Sequence, residues 1–454
     1  MKTILCHYIV ITLGCCVATA FADDWPQWLG PQRDGMWRES GIVDAFPKGG
    51  PPVRWRVAIG AGYGGPAVVG KRVFVMDRVG AAETPKSVGV AGIGKRYEVE
   101  GQERVLCLDD ATGNVLWTHA YPSSYHIAYP SGPRVTPTVA DGKIYTVGAM
   151  GDLFCLDEAN GRVLWSKNYV KDLAAKVPLY GFASAPLVEE QQLICVVGGQ
   201  GSVVVSFDKD TGIENWRSLS ASAPGSCAPM IIEDGGKRQL IVWHCDALVS
   251  LDPATGKTFW SEPFKTGFEM AIVQPRFDGR RLFITSFRGG SMMLELAADE
   301  PTASVVWKNN ITAVGGGERS TLGLHSTIGA PVLLGDMIYG VCGYGQLRGV
   351  DARTGERLWQ TLAATGDKEA LWGNAYIIPH EDRYFLFNEQ GDLIIARLTS
   401  RGYEELSRAH ILDPDDRLPS RPVTWSHPAF AHHNIYVRTD SQLVCLSLES
   451  SSHQ

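Results

Sequence analysis

One phrase recurs along the chain: Asp, three residues, Gly, three residues, Trp. It appears as "LDDATGNVLW" (Asp109, Gly113, Trp117), "LDEANGRVLW" (Asp157, Gly161, Trp165) and "FDKDTGIENW" (Asp208, Gly212, Trp216). It returns as "LDPATGKTFW" (Asp252, Gly256, Trp260) and "VDARTGERLW" (Asp351, Gly355, Trp359). With Trp307 added, the tryptophans at 117, 165, 216, 260, 307 and 359 stand 48, 51, 44, 47 and 52 residues apart. A period of that size marks a repeat architecture. Within each unit a short Pro-containing strand such as "VTPTVA" precedes an apolar-aromatic strand such as "KIYTVG". A third strand such as "DLFCLD" follows, then a fourth that ends in the Trp. Four short strands with turn signals between them, repeated, predict β-propeller blades. Helical periodicity is nearly absent; "KDLAAK" near Lys171 hints at one turn.

The phrase has a structural reading. Its Asp accepts hydrogen bonds from turn amides, as in an Asx turn. Its Gly supplies the positive φ of a tight hairpin. Its Trp lies on the outer strand, where a large apolar ring fills the wedge between neighbouring blades. The apolar second strand occurs eight times, so the predicted fold is all-β: an eight-bladed propeller of four-stranded blades. Two units depart from the pattern. Ala303 stands where the fifth Gly would be, and Leu406 takes the Trp place in "RGYEEL". The eighth unit ends at "LVCLSLES" without a fourth strand, and "PVRWRVAI", with Trp55 in the Trp position, is the strand that completes it. Closure removes exposed sheet edges.

The rest of the chain bounds the function. Its 454 residues carry a net charge of −7 and no basic stripe, so it lacks the electrostatic footprint of a nucleic-acid binder. Residues 1–22 read as a signal peptide, largely apolar from Thr3 to Thr19 and ending in "AFADD" with cleavage after Ala22. Gly14-Cys15 offers a loose lipobox as the lesser alternative, which would anchor the protein through a lipid on Cys15. Either way the protein is exported, to the periplasm or cell envelope, and no later segment spans a membrane. Residues 23–51 are an extended segment, and 52–450 form the propeller, read as a monomer. Seven cysteines remain after the leader, an odd number at scattered spacing, which is no disulfide framework. Cys107, Cys155 and Cys445 share one place in the third strand and read as small packed residues.

These repeats carry a family resemblance. "LDxxTGxxxW" resembles the repeat of pyrroloquinoline-quinone (PQQ)-type propellers, which include quinoprotein alcohol dehydrogenases and the BamB lipoprotein of outer-membrane assembly. "DWPQWLGPQRDG" and the C-terminal "WSHPAFAHHNIYVRTDSQLVCLSLE" also resemble exported PQQ-repeat proteins of planctomycete-type bacteria. The dehydrogenase side of the resemblance implies a quinone under two adjacent cysteines, a calcium ion held by carboxylate and amide oxygens, and an Asp base. Here the adjacent pair, Cys15-Cys16, lies in the leader, and no sequence cluster supplies a calcium ligand set.

Geometry says where a ligand would sit. Loops leading into the innermost strands line one mouth of a propeller's channel. Those loops hold Tyr63, His126, Tyr129, Arg134, Tyr180, Phe182, Glu269, Gln274, His325, Ser326, Trp372, Asn374, Trp425 and His427. The predicted ligand surface is Tyr63, His126, Arg134, Glu269, His325, Trp372, Asn374, Trp425 and His427, with Arg134 as a fork for anionic groups and the tryptophans as stacking faces. Such a funnel suits a polar or sugar-like ligand. His432-His433 reads as a poor metal pair, because neighbours in a strand point to opposite faces. The Gly-rich "VGGGERS" at 314–320 lacks the strand-helix setting of a phosphate loop. Residues 80–102 read as a mobile loop between two strands of the first blade, and a contact arm.

The expected function is that of an exported, non-enzymatic scaffold, BamB-like, offering a rigid surface to envelope proteins, outer-membrane proteins or cell-surface polymers. No metal, cofactor or catalytic residue is assigned. The alternative is a quinoprotein-like (PQQ with calcium) or carbohydrate-active enzyme with its site in the funnel.

Overall fold

The computed structural model describes residues 23–80, 86–88, 95–234, 236–309, 322–417 and 421–450. The leader with Cys15, and the Gly-rich stretch 314–320, lie outside the described residues. Eight antiparallel four-stranded sheets form the blades. Blade 1 comprises Ala67–Val69, Arg72–Val79, Gln102–Asp109 and Val115–Pro122, from inside to outside. Blades 2 to 7 follow in sequence order, with inner strands Thr138–Ala140, Leu187–Glu189, Met230–Asp234, Arg276–Phe277, Val332–Leu334 and Ala375–His380. Blade 8 takes Ala429–Ala431, Asn434–Arg438 and Gln442–Ser447 from the C-terminal end, and its outer strand is Val53–Ala58. That strand pairs Trp55 with Cys445 and Val57 with Leu443.

The recurring phrase turns out to join blades as well as strands. In blade 4, Gly256 sits at φ +69, and its amide donates to the Asp252 carbonyl at 2.8 Å. The Asp252 side chain accepts from the Ala254 amide at 2.9 Å. The bare Gly face receives the Trp of the preceding blade: a Cβ on Gly256 would lie 2.4 Å from Trp216 Cε3. The same test puts Gly113 against Trp55, Gly161 against Trp117, Gly212 against Trp165 and Gly355 against Trp307. Each of these indoles also donates to the carbonyl just after the next blade's Asp, as Trp117 Nε1 does to Glu158 at 3.1 Å and Trp307 Nε1 to Ala352 at 2.9 Å. A bulge immediately before each Trp turns the ring toward that neighbour. Across the strand from the Trp stands a mostly small residue: Cys107, Cys155, Ser206, Ser250, Gly349 or Cys445, with Met293 the larger exception. All seven described cysteines are buried, and none of them is in a disulfide. Burial pushes the Cys107, Cys155 and Cys445 thiols up to about 12.

The departures fall where a partner is missing. Blade 5 has no phrase, and Trp260 of blade 4 donates instead to Gln239 Oε1 of its own blade at 2.9 Å. Blade 8 has no covalent turn between its last two strands, and blade 7 carries no Trp to face blade 8, although Trp359 of blade 6 donates to the Thr399 carbonyl of blade 7 at 2.8 Å. The register corrects the expectation for Leu406: Ser407 pairs with Ile395 at the Trp level, and Leu406 is the bulge residue. Residues 42–50 cover that seam. Phe46 donates its amide to Ser407 Oγ at 2.9 Å, and Val43 donates to the Leu448 carbonyl at 3.0 Å.

Two further expectations change. The insertion at 80–102 contains strands Lys86–Val88 and Arg96–Val99, which with Tyr125–Ile127 build a small sheet beside blade 1, not a bare loop. His432 and His433 form the hairpin turn of blade 8, at φ +54 and +59, and are not strand neighbours. The single helix among the described residues is Tyr169–Leu173. No described helix is long and apolar enough to cross a membrane.

Gly256→Ala tests the docking of Trp on Gly. It combines a left-handed backbone cost with a clash against Trp216 and should destabilise by about 3 kcal/mol in denaturant unfolding. Gly142→Ala, at φ +73 with open space around it, should cost only about 1–2 kcal/mol. Equal losses at the two positions would refute the docking role.

Candidate functional site

The channel has two mouths. Inner strands begin at the upper one, where the loops between blades converge, and the Asp-to-Gly turns lie at the lower one. Residues 23–41 close the lower mouth. Trp25 exchanges backbone hydrogen bonds with Val68 of blade 1 (2.8 and 2.9 Å), and Val139 of blade 2 donates to the Pro26 carbonyl at 2.9 Å. Arg33 is buried inside the channel. It donates to the Pro186 carbonyl of blade 3, to the Pro229 carbonyl of blade 4 at 3.0 Å and to Gln27 Oε1 at 2.9 Å. Arg276 of blade 5 donates to the Asp34 carbonyl. Trp37 donates to the Pro379 carbonyl of blade 7 at 3.0 Å, and His433 of blade 8 donates to Glu39 Oε2 at 3.0 Å. Trp25 and Trp37 are only 2% exposed, so these two side chains are part of the core. At its start His432 lies between Asp24 (2.9 Å) and Asp110 (3.3 Å). The hydrogen bonds to Asp110 and then Asp24 raise its imidazole to about 9.

Above this plug lies a cavity of about 190 Å³. Tyr63, Arg134, Trp372, Trp425 and His427, all expected at the site, line it. So do Tyr129 and Tyr180 from the wider loop set. Trp28, Thr327 and Tyr376 also line it and were not anticipated. Trp28 comes from the plug and lies against His427, with ring centroids 4.7 Å apart. The density of tryptophan at 25, 28 and 37 was the signal that this segment is inserted rather than loose.

The other four expected residues do other work. His126 is exposed on the small added sheet, 3.4 Å from Glu98. Glu269 Oε2 accepts the Leu179 amide at 2.7 Å. Asn374 Oδ1 accepts the Gly329 amide at 3.0 Å and ties blade 7 to blade 6. His325 is buried, and desolvation, then the nearby Arg348 charge, hold it neutral, with its pKa lowered to about 4. Phe182 is core, and Gln274 is buried, donating to the Ala228 carbonyl at 3.2 Å.

The lining is braced from behind. The Arg134 guanidinium donates to the carbonyls of Ala128 (2.9 Å), Tyr129 and Gly132. It is therefore a clamp for the loop and not an open fork for an anion. That clamp holds Tyr129 in a left-handed conformation at φ +51. Trp372 is left-handed too, at φ +60, with its amide donating to the Gly343 carbonyl at 2.7 Å. Two bulky aromatics in that region are outliers maintained by their surroundings. Their rings meet edge to face at 5.9 Å, and Trp425 lies 6.1 Å from Tyr129 and 6.4 Å from Trp372. Buried Glu389 orients Trp425 by accepting its indole N–H at 3.0 Å while taking one hydrogen bond from Arg421 Nε at 2.8 Å and pairing with the Arg421 guanidinium. Desolvation raises the Glu389 carboxyl above its ordinary value. His427 is held neutral by burial, at about 4.

The lining fits a calcium-bound quinone poorly. Calcium takes six or more oxygen ligands, with carboxylates among them. None of the residues lining this cavity is an Asp or Glu. Pyrroloquinoline quinone brings three carboxylates of its own, and the one guanidinium present is committed to backbone carbonyls. No described group of three His, Cys, Asp or Glu gathers as a metal site.

A closed ring of eight such blades around a capped channel is a PQQ-like repeat β-propeller. The family described as outer membrane protein assembly factor BamB matches residues 39–168, 101–316 and 244–454, and the chain belongs to it. Among solved structures, BamB from Moraxella catarrhalis aligns over 84% of this chain and 100% of its own, at 16% identity and a TM-score of 0.53. Quinohemoprotein alcohol dehydrogenase from Comamonas testosteroni aligns over 96% and 82%, at 13% identity and a TM-score of 0.58. The computationally designed Ika8 protein aligns over 87% and 99%, at 11% identity and a TM-score of 0.53. At these identities the likeness concerns the fold. No curated protein matches the chain in sequence.

The His432 contacts give a pH dependence with a definite sign. Their stabilisation is complete below the unfolded imidazole value of about 6.5 and is lost as pH rises through about 9. The melting-temperature gap between wild type and His432→Gln should be widest near pH 6 and close above about pH 9. A gap that stays constant from pH 6 to 10 would contradict the contact.

Proposed function

We propose that this chain is an exported, non-catalytic propeller that holds an envelope component at the upper cavity. The observation that carries this reading is the chemistry of the lining. Its aromatic faces are set by braces behind them, its Arg is committed to carbonyls, its His is neutral, and it includes no carboxylate. General acid-base work needs a titratable group poised within reach of a reacting atom. An aromatic seat without a carboxylate supports binding instead. The family description names an outer membrane protein assembly factor, which supports the envelope as the compartment, with envelope proteins or surface polymers as partners. The leader read from residues 1–22, with cleavage after Ala22, fits the same compartment.

The quinohemoprotein neighbours supply the competing reading and its test. The purified protein is titrated with PQQ and calcium while tryptophan fluorescence and dye-linked alcohol oxidation are followed. The expected outcome is no saturable quinone binding at micromolar concentration and no turnover. Saturable binding with turnover would overturn the non-catalytic reading.

A further inference from the structure

We infer that the upper cavity is a seat for a neutral sugar ring. The inference rests on the binding role proposed above and names the ligand class. Four aromatic rings, Tyr129, Tyr180, Trp372 and Trp425, offer apolar faces in one small space. A purely hydrocarbon ligand would leave buried polar atoms unmet. Trp372 Nε1 and Thr327 Oγ1 belong to lining residues, are buried and have no hydrogen-bond partner. Thr327 is only 8% exposed. The hydroxyls of Ser326, Thr424 and Ser426, each next in sequence to a lining residue, are likewise buried and unpartnered. Most buried polar atoms in folded proteins are satisfied, and an unmet one costs about 1–3 kcal/mol. A cluster of them on blades 6, 7 and 8 points to a guest that brings hydroxyls.

A charged ligand is disfavoured for the opposite reason. Entering this cavity would strip its water, and the lining offers neither a carboxylate nor an open guanidinium in return. An extended peptide would pair its amides along the channel edges of the inner strands. In blades 1 and 2 those edges are already taken by Trp25 and Pro26. A pyranose meets each demand: C–H faces for the rings, hydroxyls for Trp372 and Thr327, and no charge.

The test uses the purified protein with maltohexaose, cellohexaose and chitohexaose, a neutral oligosaccharide fraction from the host envelope, an acidic hexagalacturonate control and an apolar hexapeptide. Binding is read by calorimetry and tryptophan fluorescence. At least one neutral glycan should bind saturably, and hexagalacturonate and peptide should not. Thr327→Val and Trp372→Phe, which remove a hydroxyl or an N–H while keeping most of the volume, should each weaken binding about tenfold. Their melting temperatures report that they remain folded. If either variant fails to fold, Trp425→Phe, which keeps an aromatic face, serves as the alternative and should weaken binding similarly. Three outcomes would each overturn the inference: silence from every neutral glycan, preference for the acidic glycan or the peptide, or unchanged glycan affinity in the folded variants. Quinone turnover in the preceding assay would sink the non-catalytic role and leave glycan binding to be judged by these titrations. Absence of glycan binding without turnover would leave the scaffold role standing.

Discussion

The structure depends on one contact, a tryptophan from one blade laid on the bare face of a glycine in the next. Four-stranded sheets arranged radially leave a wedge between their outer edges, and a large flat ring fills it. The glycine is required twice over at that point, for its left-handed φ and for its missing Cβ, as at Gly161 under Trp117. The indole N–H then takes the carbonyl freed by the turn, so apolar fit and a hydrogen bond coincide. Closure uses the same contact. Trp55, from the strand that precedes all eight blades in sequence, lies on Gly113 and carries the lock across the junction of the two chain ends.

Where the lock is absent, something else bears the load. Between blades 4 and 5 a glutamine takes over the indole hydrogen bond. Between blades 7 and 8 the N-terminal segment covers the seam through Val43 and Phe46 before crossing to the outer strand. The same segment has already threaded the lower mouth of the channel, contacting inner strands or hairpins of blades 1, 2, 3, 4, 5, 7 and 8. It makes the channel one-ended and gives the upper cavity a floor in Trp28. Ring closure and the site are therefore linked through one stretch of chain.

The phrase was legible because every copy obeys the same local physics, and the eight blades and the closing strand follow from counting the apolar second strands that accompany it. The cavity was only partly legible. Tyr63, Trp372, Trp425 and His427 precede inner strands, so topology alone brings them to one mouth. His126 misled because the insertion at 80–102 recruits its strand into a separate sheet. Arg134 misled because sequence gives the type of a side chain and not the carbonyls around it. Trp28 was missed because nothing local to a turn-rich segment says that it enters a channel 100 and more residues away in sequence; Arg33, for example, reaches Pro186 and Pro229. Leu406 was placed one position off because a bulge shifts the register by a single residue.

The central claim is that residues 23–41 are an integral plug that turns the channel into a one-ended pocket. Amide hydrogen exchange on the purified protein tests it directly, since protection reports the free energy of opening. The account predicts that the amides of Trp25 and Trp37 exchange as slowly as those of the inner strands they bond, with Val68 and Val139 protected alongside them. Exchange of residues 25–37 at the rate of a free tail, with the blades still protected, would contradict it.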